Sequence, residues 1–406
     1  MSTSLLYHGF GLRAKGYVYQ STTYRDGAIV IRVERDSATL RCACCGSAEV
    51  IRSGAATRRL RGVPIGRKPV WIQTTVPRLS CRACGKTRRA AIGFAQARVS
   101  YTRAFERYAL DLSRRMTIEA AAVHLGVSWD VIKDIQKRHL QHRFRKIRLR
   151  KVERIAIDEI SIGKGQRYLT VVLDLDRGAV VFLGDGKGAD ALDPFWKKLR
   201  ASRAKIQAVA TDMSPAYTLA VHDHLPDAVH VFDRFHVVKL FNEKLSDLRR
   251  QLQHQAETIE HKKAIKGTRW LLLKNPENLD PNRNERQRLD EALRLNQPLA
   301  AAYYLKEDLR QFWEQADRTA AAAFLDDWIA RASASGVGIL QKFARTLQLH
   351  RTGLLNWYLH HISTGPLEGT NNKIRTMQRQ AYGYRDQEFL RLKIFALHET
   401  NYALVG

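Results

Sequence analysis

The sequence predicts a multidomain α/β protein in which a β-rich N-terminal part, a short helical part and a larger α/β part follow one another. Two Cys-x-x-Cys pairs flank strand-like residues near the N-terminus, and residues 100–142 carry a helical pattern. From Val152 onward, short apolar strands alternate with helices. A chain of 406 residues is also too long for one ordinary domain.

The composition points to a polyanionic partner. Lys and Arg total 68 against 40 Asp and Glu, which gives a formal net charge of +28. Such a field attracts phosphate backbones and makes binding depend strongly on salt. A generically basic protein is the alternative. The hydrophobic fraction of 45% is enough for sizeable cores, so the composition argues against global disorder.

The N-terminus carries no recognisable targeting signal. Residues 4–10 are too short and too polar for a secretory signal core, and no stretch approaches roughly 18 uninterrupted apolar residues. We therefore expect a cytoplasmic, nucleoid-associated protein without membrane contact. All five cysteines lie within the first 84 residues, where a reducing compartment favours metal binding over disulfides.

The first domain, predicted over residues 1–95, is a zinc ribbon. Its strands are predicted around 16–19 and 29–33 and in a basic stretch over 58–78, and each Cys-x-x-Cys pair is followed at once by glycine. The gap between the pairs is longer than in most zinc ribbons. Cys44 is a predicted bystander that could replace a neighbour, and free structural cysteines are the alternative. The predicted ligands of a structural Zn²⁺ are Cys42, Cys45, Cys81 and Cys84.

The second domain, predicted over residues 96–150, contains a helix-turn-helix. Ala122 allows close helix approach, Gly126 makes the turn, and Ile132 fills the core from a recognition helix over 129–139. Ser128 is predicted to cap that helix, which projects Asp130, Lys133, Asp134 and Lys137 outward. A helical hairpin followed by a solvated linker is the alternative. The predicted DNA contacts here and in the basic run 143–151 are Ser128, Lys133, Lys137, Arg145, Arg148 and Arg150.

The third domain has an RNase H-like order of elements. Three consecutive strands precede alternating helices and strands, and residues 237–360 are helical in pattern except at a few prolines. We predict a catalytic domain over 151–240 and 361–406, interrupted by an all-α insertion over 241–360. The predicted elements are strands Arg154–Asp158, Gln166–Asp174, Ala179–Gly184, Ile206–Asp212 and Ala228–Asp233, with helices Ala189–Ser202 and Pro215–His224.

Three acids in this domain form a candidate metal site. Asp158 and Asp212 close predicted strands, and Glu368 stands near the start of a predicted helix. Three converging carboxylates can hold two Mg²⁺ or Mn²⁺ ions about 3.5–4 Å apart, the spacing for in-line attack on a phosphodiester. Taken singly, each acid could be a turn or capping residue, and Glu159 could replace Asp158. The prediction rests on the order in which the three acids occur, two at strands and the last on a helix.

Polar residues near these acids complete the candidate site. His236, three residues after Asp233, could orient a phosphate or hydrogen-bond a metal-bound carboxylate; a capping aspartate with a buried histidine is the alternative. Asn372 lies at i+4 from Glu368 and is expected on its face. A salt-bridged surface helix is the alternative for this segment. The residues predicted to hold the DNA backbone are Asn371, Asn372, Lys373 and Arg375.

The whole chain resembles ISL3-family insertion-sequence transposases. The resemblance rests on residues 4–12, the cysteine pairs, and the segments 157–159, 211–217, 233–239 and 365–375. It implies a zinc domain, a helix-turn-helix for terminal inverted repeats, and a DDE domain whose acids are Asp158, Asp212 and Glu368. Asp233 and His236 fit the D-x-x-H motif of related families. It further implies double-stranded element-end and target DNA as partners, and a homodimer or larger oligomer.

Two other functions remain open from the sequence. One is a domesticated DNA-binding regulator, which loss of an acid would favour, although none is missing. The other is an RNase H-like nuclease that cleaves without joining. No Walker A sequence is present, which argues against an ATPase.

Overall fold

The computed structural model describes Tyr7, residues 14–163 and residues 167–399. The chain divides into two compact units, Met1–Arg145 with Glu399–Gly406, and Lys146–His398. Apart from Tyr7, the segment of the resemblance over 4–12 lies outside the described residues, as does Gln166. The domain boundaries predicted at 95, 150, 240 and 360 stay predictions.

The first unit contains a five-stranded sheet in the order β1-β2-β4-β3, with β5 paired to β4. Strands β2 and β4 run parallel, and the other pairs are antiparallel. The predicted β-rich character is confirmed. The long gap between the cysteine pairs is one extended β3–β4 hairpin. The strands are β1 (Tyr17–Arg25), β2 (Ala28–Arg35), β3 (Val50–Ile65), β4 (Lys68–Cys81) and β5 (Thr87–Arg89).

Three helices follow the sheet: α1 (Arg103–Ser113), α2 (Ile118–Leu125) and α3 (Trp129–Arg143). The helix-turn-helix is confirmed, because Gly126 ends α2 in the left-handed conformation at φ 59° and both Ala122 and Ile132 are buried. The capping prediction for Ser128 is wrong: it occupies the N-cap position, but its side chain makes no capping hydrogen bond.

The second unit is built on a sheet in the order β10-β9-β6-β7-β8. Strands β6, β7 and β8, which come first in the chain, are antiparallel neighbours. Strand β9 pairs parallel to β6 and β10 pairs parallel to β9, which confirms the RNase H-like topology. A 3-10 turn over Ala189–Leu192 precedes α4. The elements are β6 (Arg154–Gly163), β7 (Arg167–Asp174), β8 (Ala179–Asp185), α4 (Asp193–Ser202), β9 (Ala208–Thr211), α5 (Pro215–His224) and β10 (Val229–Phe232).

Asp158 does not close its strand as predicted. Strand β6 continues to Gly163 because it forms a hairpin with β7, in which Asp158 pairs with Val171. Neighbouring side chains of a strand point to opposite faces. Asp158 and Glu159 therefore leave β6 in opposite directions.

The segment between β10 and the last helices is helical, as predicted. Phe241, Trp328 and Phe343 are fully buried at its core, where their rings meet edge to face. Helix α6 runs without a break through the predicted boundary at 240. The helices are α6 (Arg234–Gln255), α7 (Ile259–Lys266), α8 (Glu285–Leu295), α9 (Gln297–Arg310), α10 (Arg318–Ala334), α11 (Gly338–Leu349) and α12 (Arg351–Leu355).

Two further helices return the chain to the sheet. Helix α13 (Gly365–Gln380) packs on β6, and α14 (Gln387–Phe395) packs on β8. Within the described residues, no helix combines the length and the apolar character that crossing a membrane requires.

Candidate active site and zinc centre

Four cysteine sulfurs converge in the first unit. Those of Cys42, Cys45, Cys81 and Cys84 all lie within 4.8 Å of one another. The contacts between the two pairs are 3.7 Å from Cys42 to Cys84 and 3.6 Å from Cys45 to Cys81. Four sulfurs about 2.3 Å from a tetrahedral Zn²⁺ stand about 3.8 Å apart. The cluster fits a structural zinc, as predicted.

Local backbone builds each half of this centre. Gly46 and Gly85 adopt φ of 75° and 66°, and their N–H groups donate to the carbonyls of Cys42 and Cys81. Backbone hydrogen bonds from Cys45 and Cys44 lower the pKa of the Cys42 thiol to about 6, which favours the thiolate that zinc needs. The Cys44 side chain is exposed and stands outside the group.

The residues predicted to contact DNA in the helix-turn-helix are placed differently from one another. Asp130 and Asp134 are exposed, as predicted. Lys133 and Lys137 are half-buried, and the Lys133 ammonium lies 5.5 Å from the centre of the Trp129 ring one turn earlier. The two lysines, predicted to project outward, are thus only partly exposed.

The basic run alternates between two environments. Leu149 is buried and Ile147 packs beside it in the core of the second unit. Arg145, Arg148 and Arg150 are exposed. The apolar residues hold the run to the protein while its guanidinium groups stay available.

Asp158 lies at the centre of the candidate active site. Its Oδ2 accepts a hydrogen bond of 3.1 Å from Asn371 Nδ2 on α13, and its Oδ1 lies 4.0 Å from His236 Nε2. Asn371 is only 2% exposed. It was predicted to contact DNA, but the structure places it against the acid. The periodicity of the buried residues Leu367, Ile374 and Met377 was the available signal for this inward face.

Asp233 anchors the other end of the site. It is 1% exposed, caps α6 by accepting from the N–H of His236 at 3.3 Å, and accepts from the N–H of Thr364 at 3.0 Å. Its Oδ2 also lies 3.4 Å from His236 Nδ1, an ion pair when the histidine is protonated. The capping aspartate is therefore real, and the same carboxylate also joins α6 to α13. Thr364 was not recognised from the sequence.

Glu368 is positioned by its neighbours on α13. Thr364, Glu368 and Asn371 follow one another at intervals of four and three residues and share one helix face. Because Thr364 is tied to Asp233 and Asn371 to Asp158, half-buried Glu368 lies between these anchors. Asp212 directly follows β9, and its Oδ1 accepts from the N–H of Ser214 at 3.0 Å.

The charges of the site are coupled. Burial raises the pKa of Asp158, and the carboxylates of Asp212 and Glu159 raise it further. Burial alone would raise the pKa of Asp233, but hydrogen bonds from His236 and Thr364 lower it overall. Burial opposes protonation of His236, yet Asp233 and Asp158 raise its pKa. The two carboxylates thus favour the protonated form of this histidine.

Glu159 serves the opposite face of β6. Its Oε1 accepts from the Tyr217 hydroxyl at 2.6 Å and from the N–H of Gly188 at 2.9 Å. Burial and the bond to Glu159 raise the pKa of Tyr217. Asp158 is therefore the acid that faces α13, and Glu159 ties β6 to α5, a role that the sequence did not reveal.

The ligand atoms of Asp158, Asp212 and Glu368 do not form a compact group. Among the described residues, only the cysteine centre brings three or more potential ligand atoms within 4.8 Å of one another. On α13, the exposed side chains next to the acids are Asn372, Lys373 and Arg375, and Arg375 Nη1 donates to Asn372 Oδ1 at 3.2 Å.

Three known domains match successive parts of the chain. Residues 38–84 match the zinc-finger of transposase IS204/IS1001/IS1096/IS1165. Residues 90–140 match the helix-turn-helix domain of transposase family ISL3. Residues 155–394, more than half of the chain, match the ISL3-type DDE domain, described as a transposase.

Curated relatives match over most of their length. The transposase for insertion sequence element IS1001 of Bordetella parapertussis is 33% identical, over 89% of this chain and 89% of that protein. The transposase for element IS1557 of Mycobacterium tuberculosis is 32% identical, over 90% of this chain and 87% of that protein.

Among solved structures, the Drosophila P element transposase strand transfer complex aligns with a TM-score of 0.32 and 13% identity. The alignment covers 63% of this chain and 79% of that one, and likeness at this level is too weak to carry an argument. The domain matches and the curated relatives suffice, and the chain belongs to the ISL3 family of insertion-sequence transposases.

Proposed function

We propose that this transposase cuts DNA at the ends of its element and joins the freed ends to target DNA, using Asp158, Asp212 and Glu368 with two Mg²⁺ or Mn²⁺ ions. The observation that carries the proposal is the docking of α13. The bonds from Thr364 to Asp233 and from Asn371 to Asp158 flank Glu368 on this helix, and they support its assignment beside the other two acids.

The chemistry of the donors suits these ions. Carboxylate oxygens are the ligands that Mg²⁺ and Mn²⁺ prefer. Burial, and to a lesser degree the charges of Asp212 and Glu159, raises the pKa of Asp158, and a bound cation would favour its charged form. Bound ions would activate the attacking water and stabilise the leaving 3′ oxygen.

The chain's own residues would orient the reacting DNA. His236, held by Asp233, is placed to donate a hydrogen bond to a phosphate oxygen beside Asp158. On α13, exposed Asn372, Lys373 and Arg375 would hold the backbone next to Glu368.

Recognition of the element would come from the first unit. The helix-turn-helix would read the terminal inverted repeats with α3, through Lys133 and Lys137 near base edges and Ser128 at its start. Arg145, Arg148 and Arg150, all exposed, would contact phosphates. Bringing two ends together would require at least a homodimer, and this substrate places the enzyme on the bacterial nucleoid.

The test is cleavage of a labelled duplex that carries the element end, with Mg²⁺, with Mn²⁺ and without metal. We expect nicking at the end only with metal, and a loss on the order of a thousandfold in Glu368→Gln. Glu291→Gln, an exposed glutamate of the helical segment, is the matched control and should cleave normally.

The products separate the alternatives. Joined strands identify a transposase that completes the reaction, whereas cleavage without joining indicates a nuclease. Tight binding by wild-type protein without cleavage under either metal would favour a DNA-binding regulator.

A further inference from the structure

One face of α13 continues from the candidate active site to the end of the helix. Glu368, Asn372, Arg375 and Arg379 follow one another at intervals of four, three and four residues, so they form a single stripe on α13. Tyr382 extends this stripe two residues past the helix end at Gln380. Beyond half-buried Glu368, every member of this stripe is exposed. The opposite face of the helix is buried.

The last member of the stripe is held in an unfavourable state. The Tyr382 side chain is 100% exposed, and its backbone adopts φ 50°, in the left-handed region that favours glycine. The helix end requires this conformation: the N–H of Gly383 donates to Gln378 O at 2.9 Å, and that of Tyr382 to Arg379 O at 3.1 Å. These two bonds form a Schellman motif in which Tyr382 takes the usual glycine position.

Nothing within the described residues offsets these costs. The Tyr382 ring has no hydrogen bond, ring stacking or cation–π contact there. An exposed aromatic ring on a strained backbone is the combination expected of a residue that meets an external partner.

The surroundings of Tyr382 indicate the chemistry of that partner. Lys373, Arg379 and Arg385 are exposed, and none of them forms an ion pair with a described carboxylate. Arg375 bonds only to the neutral amide of Asn372. An uncompensated run of cations that ends in an exposed aromatic ring is suited to a nucleic acid, because phosphates meet the cations and a base can stack on the ring.

We propose that Tyr382 stacks on a base of the DNA that lies along α13, and that it partly unstacks the duplex there. This inference rests on the proposed function, because Glu368 marks the position of the scissile phosphate. The helix runs twelve residues beyond Glu368 to Gln380, about 18 Å along its axis, and Tyr382 stands just past that end, roughly 20 Å from Glu368. That length corresponds to about six base-pair steps.

Helix α13 can set a fixed distance because it is bonded to β6 at two points along its length. Asn371 holds α13 to Asp158, and Gln378 Nε2 donates to the carbonyl of Ile162 on β6 at 3.1 Å. The ring is therefore presented at a set distance from the acids.

The experiment measures binding, DNA distortion and stability for Tyr382→Gly and Tyr382→Phe. The probe is a fluorescein-labelled duplex that carries the inverted repeat flanking the reading frame. Anisotropy reports affinity, permanganate oxidation of thymines placed four to eight base pairs from the cleavage site reports unstacking, and calorimetry reports the melting temperature. Tyr304→Ala, an exposed tyrosine of α9, is the control for loss of a surface ring.

We expect Tyr382→Gly to bind about tenfold more weakly and to lose the permanganate signal. The same variant should melt roughly 2–4 °C higher, because glycine relieves the left-handed backbone. Tyr382→Phe should keep both the affinity and the signal. Arg379→Ala should weaken binding but leave the signal at the same thymines.

Unchanged affinity and unchanged permanganate pattern in Tyr382→Gly would overturn the proposal. So would a change of oligomeric state without DNA, seen by light scattering, since the ring would then contact a second copy of the chain. Cleavage and permanganate assays on wild type and Glu368→Gln side by side separate the two proposals. If no protein cleaves but Tyr382-dependent unstacking persists, the catalytic assignment fails and the stacking assignment stands.

Discussion

The cysteine centre and the candidate active site are both polar sites, but the chain builds them in different ways. We call the residues of the second site, Asp158, Asp212, Asp233, His236 and Glu368, the acid cluster. The four cysteines come from two pairs with a three-residue spacing, joined by the single hairpin of β3 and β4. The acid cluster joins β6, the end of β9, the start of α6 and α13, and the Asn371–Asp158 bond spans 213 residues.

The two sites differ in how far along the chain the contacts that shape them reach. Each half of the cysteine centre is shaped by its own backbone, with Gly46 and Gly85 closing the turns. The acid cluster has no such local device. Its geometry depends on α13, which follows the whole α6–α12 segment and must pack on β6. A few hydrogen bonds hold α13 there.

The largest effect should follow from breaking the cysteine centre. Cys81→Ser removes one of four zinc ligands, and structural zinc in small domains contributes about 10 kcal/mol or more to folding. We expect loss of bound zinc, measured by elemental analysis, and loss of the calorimetric unfolding transition of the first unit. Cys44→Ser is the control and should retain one zinc per chain. Retained zinc in Cys81→Ser would show that the cysteines are not its ligands.

A smaller effect should follow from breaking the anchor of the acid cluster. Asp233→Asn replaces a buried carboxylate that accepts from Thr364 and His236, so we expect a loss of about 2–3 kcal/mol in the free energy of unfolding. Urea denaturation of the second unit measures it. Asp223→Asn, on the exposed end of α5, should change nothing. Equal stability of both variants would mean that α13 docks without this anchor.

The stability of the sheet that carries the acids should fall at low pH because of His230 on β10. Burial, aided by the charge of His350, lowers the pKa of His230 to about 4. The unfolded state therefore takes up the proton first, so the stability is complete above about pH 6.5 and falls as the pH drops toward 4. We expect a loss of about 2 kcal/mol by pH 5 from this residue.

His230→Asn tests the sign of that dependence. Urea midpoints at pH 7 and pH 5 should converge in this variant compared with wild type. A variant that loses as much stability as wild type between these pH values would assign the acid sensitivity to other groups. Thr211 Oγ1 lies 2.7 Å from His230 Nε2, so the variant should also be somewhat less stable at pH 7.

The smallest effect should come from the opposite face of β6. Tyr217→Phe removes the hydroxyl that donates to Glu159, at a cost of about 1 kcal/mol in the free energy of unfolding. Cleavage should fall only modestly, since Asp158 faces the other way. If cleavage were abolished while stability held, Glu159 would become the working acid. Tyr304→Phe is a matched control on an exposed tyrosine.

Much of the fold could be predicted because its signals are local. The apolar alternation of β6 to β10, the helix over Pro215–His224 and the turn at Gly126 all follow from short-range preferences. The end of β6 could not be predicted from Asp158, because pairing with β7 carries the strand on to Gly163. The Ser128 cap failed in the same way, since residue type alone does not ensure that the side-chain bond forms.

The cysteine pairs, the helix-turn-helix and the order of the acids could be read from the sequence, because each depends on spacing within a few residues or on a strand and its neighbour. Three features became visible only in the folded chain: Asn371 bonds Asp158, Asp233 joins α6 to α13, and Glu159 belongs to the opposite face of β6. The physical reason is that these contacts are made between elements far apart in the chain. Their geometry is set by how the helices pack on the sheet, and no local preference encodes it.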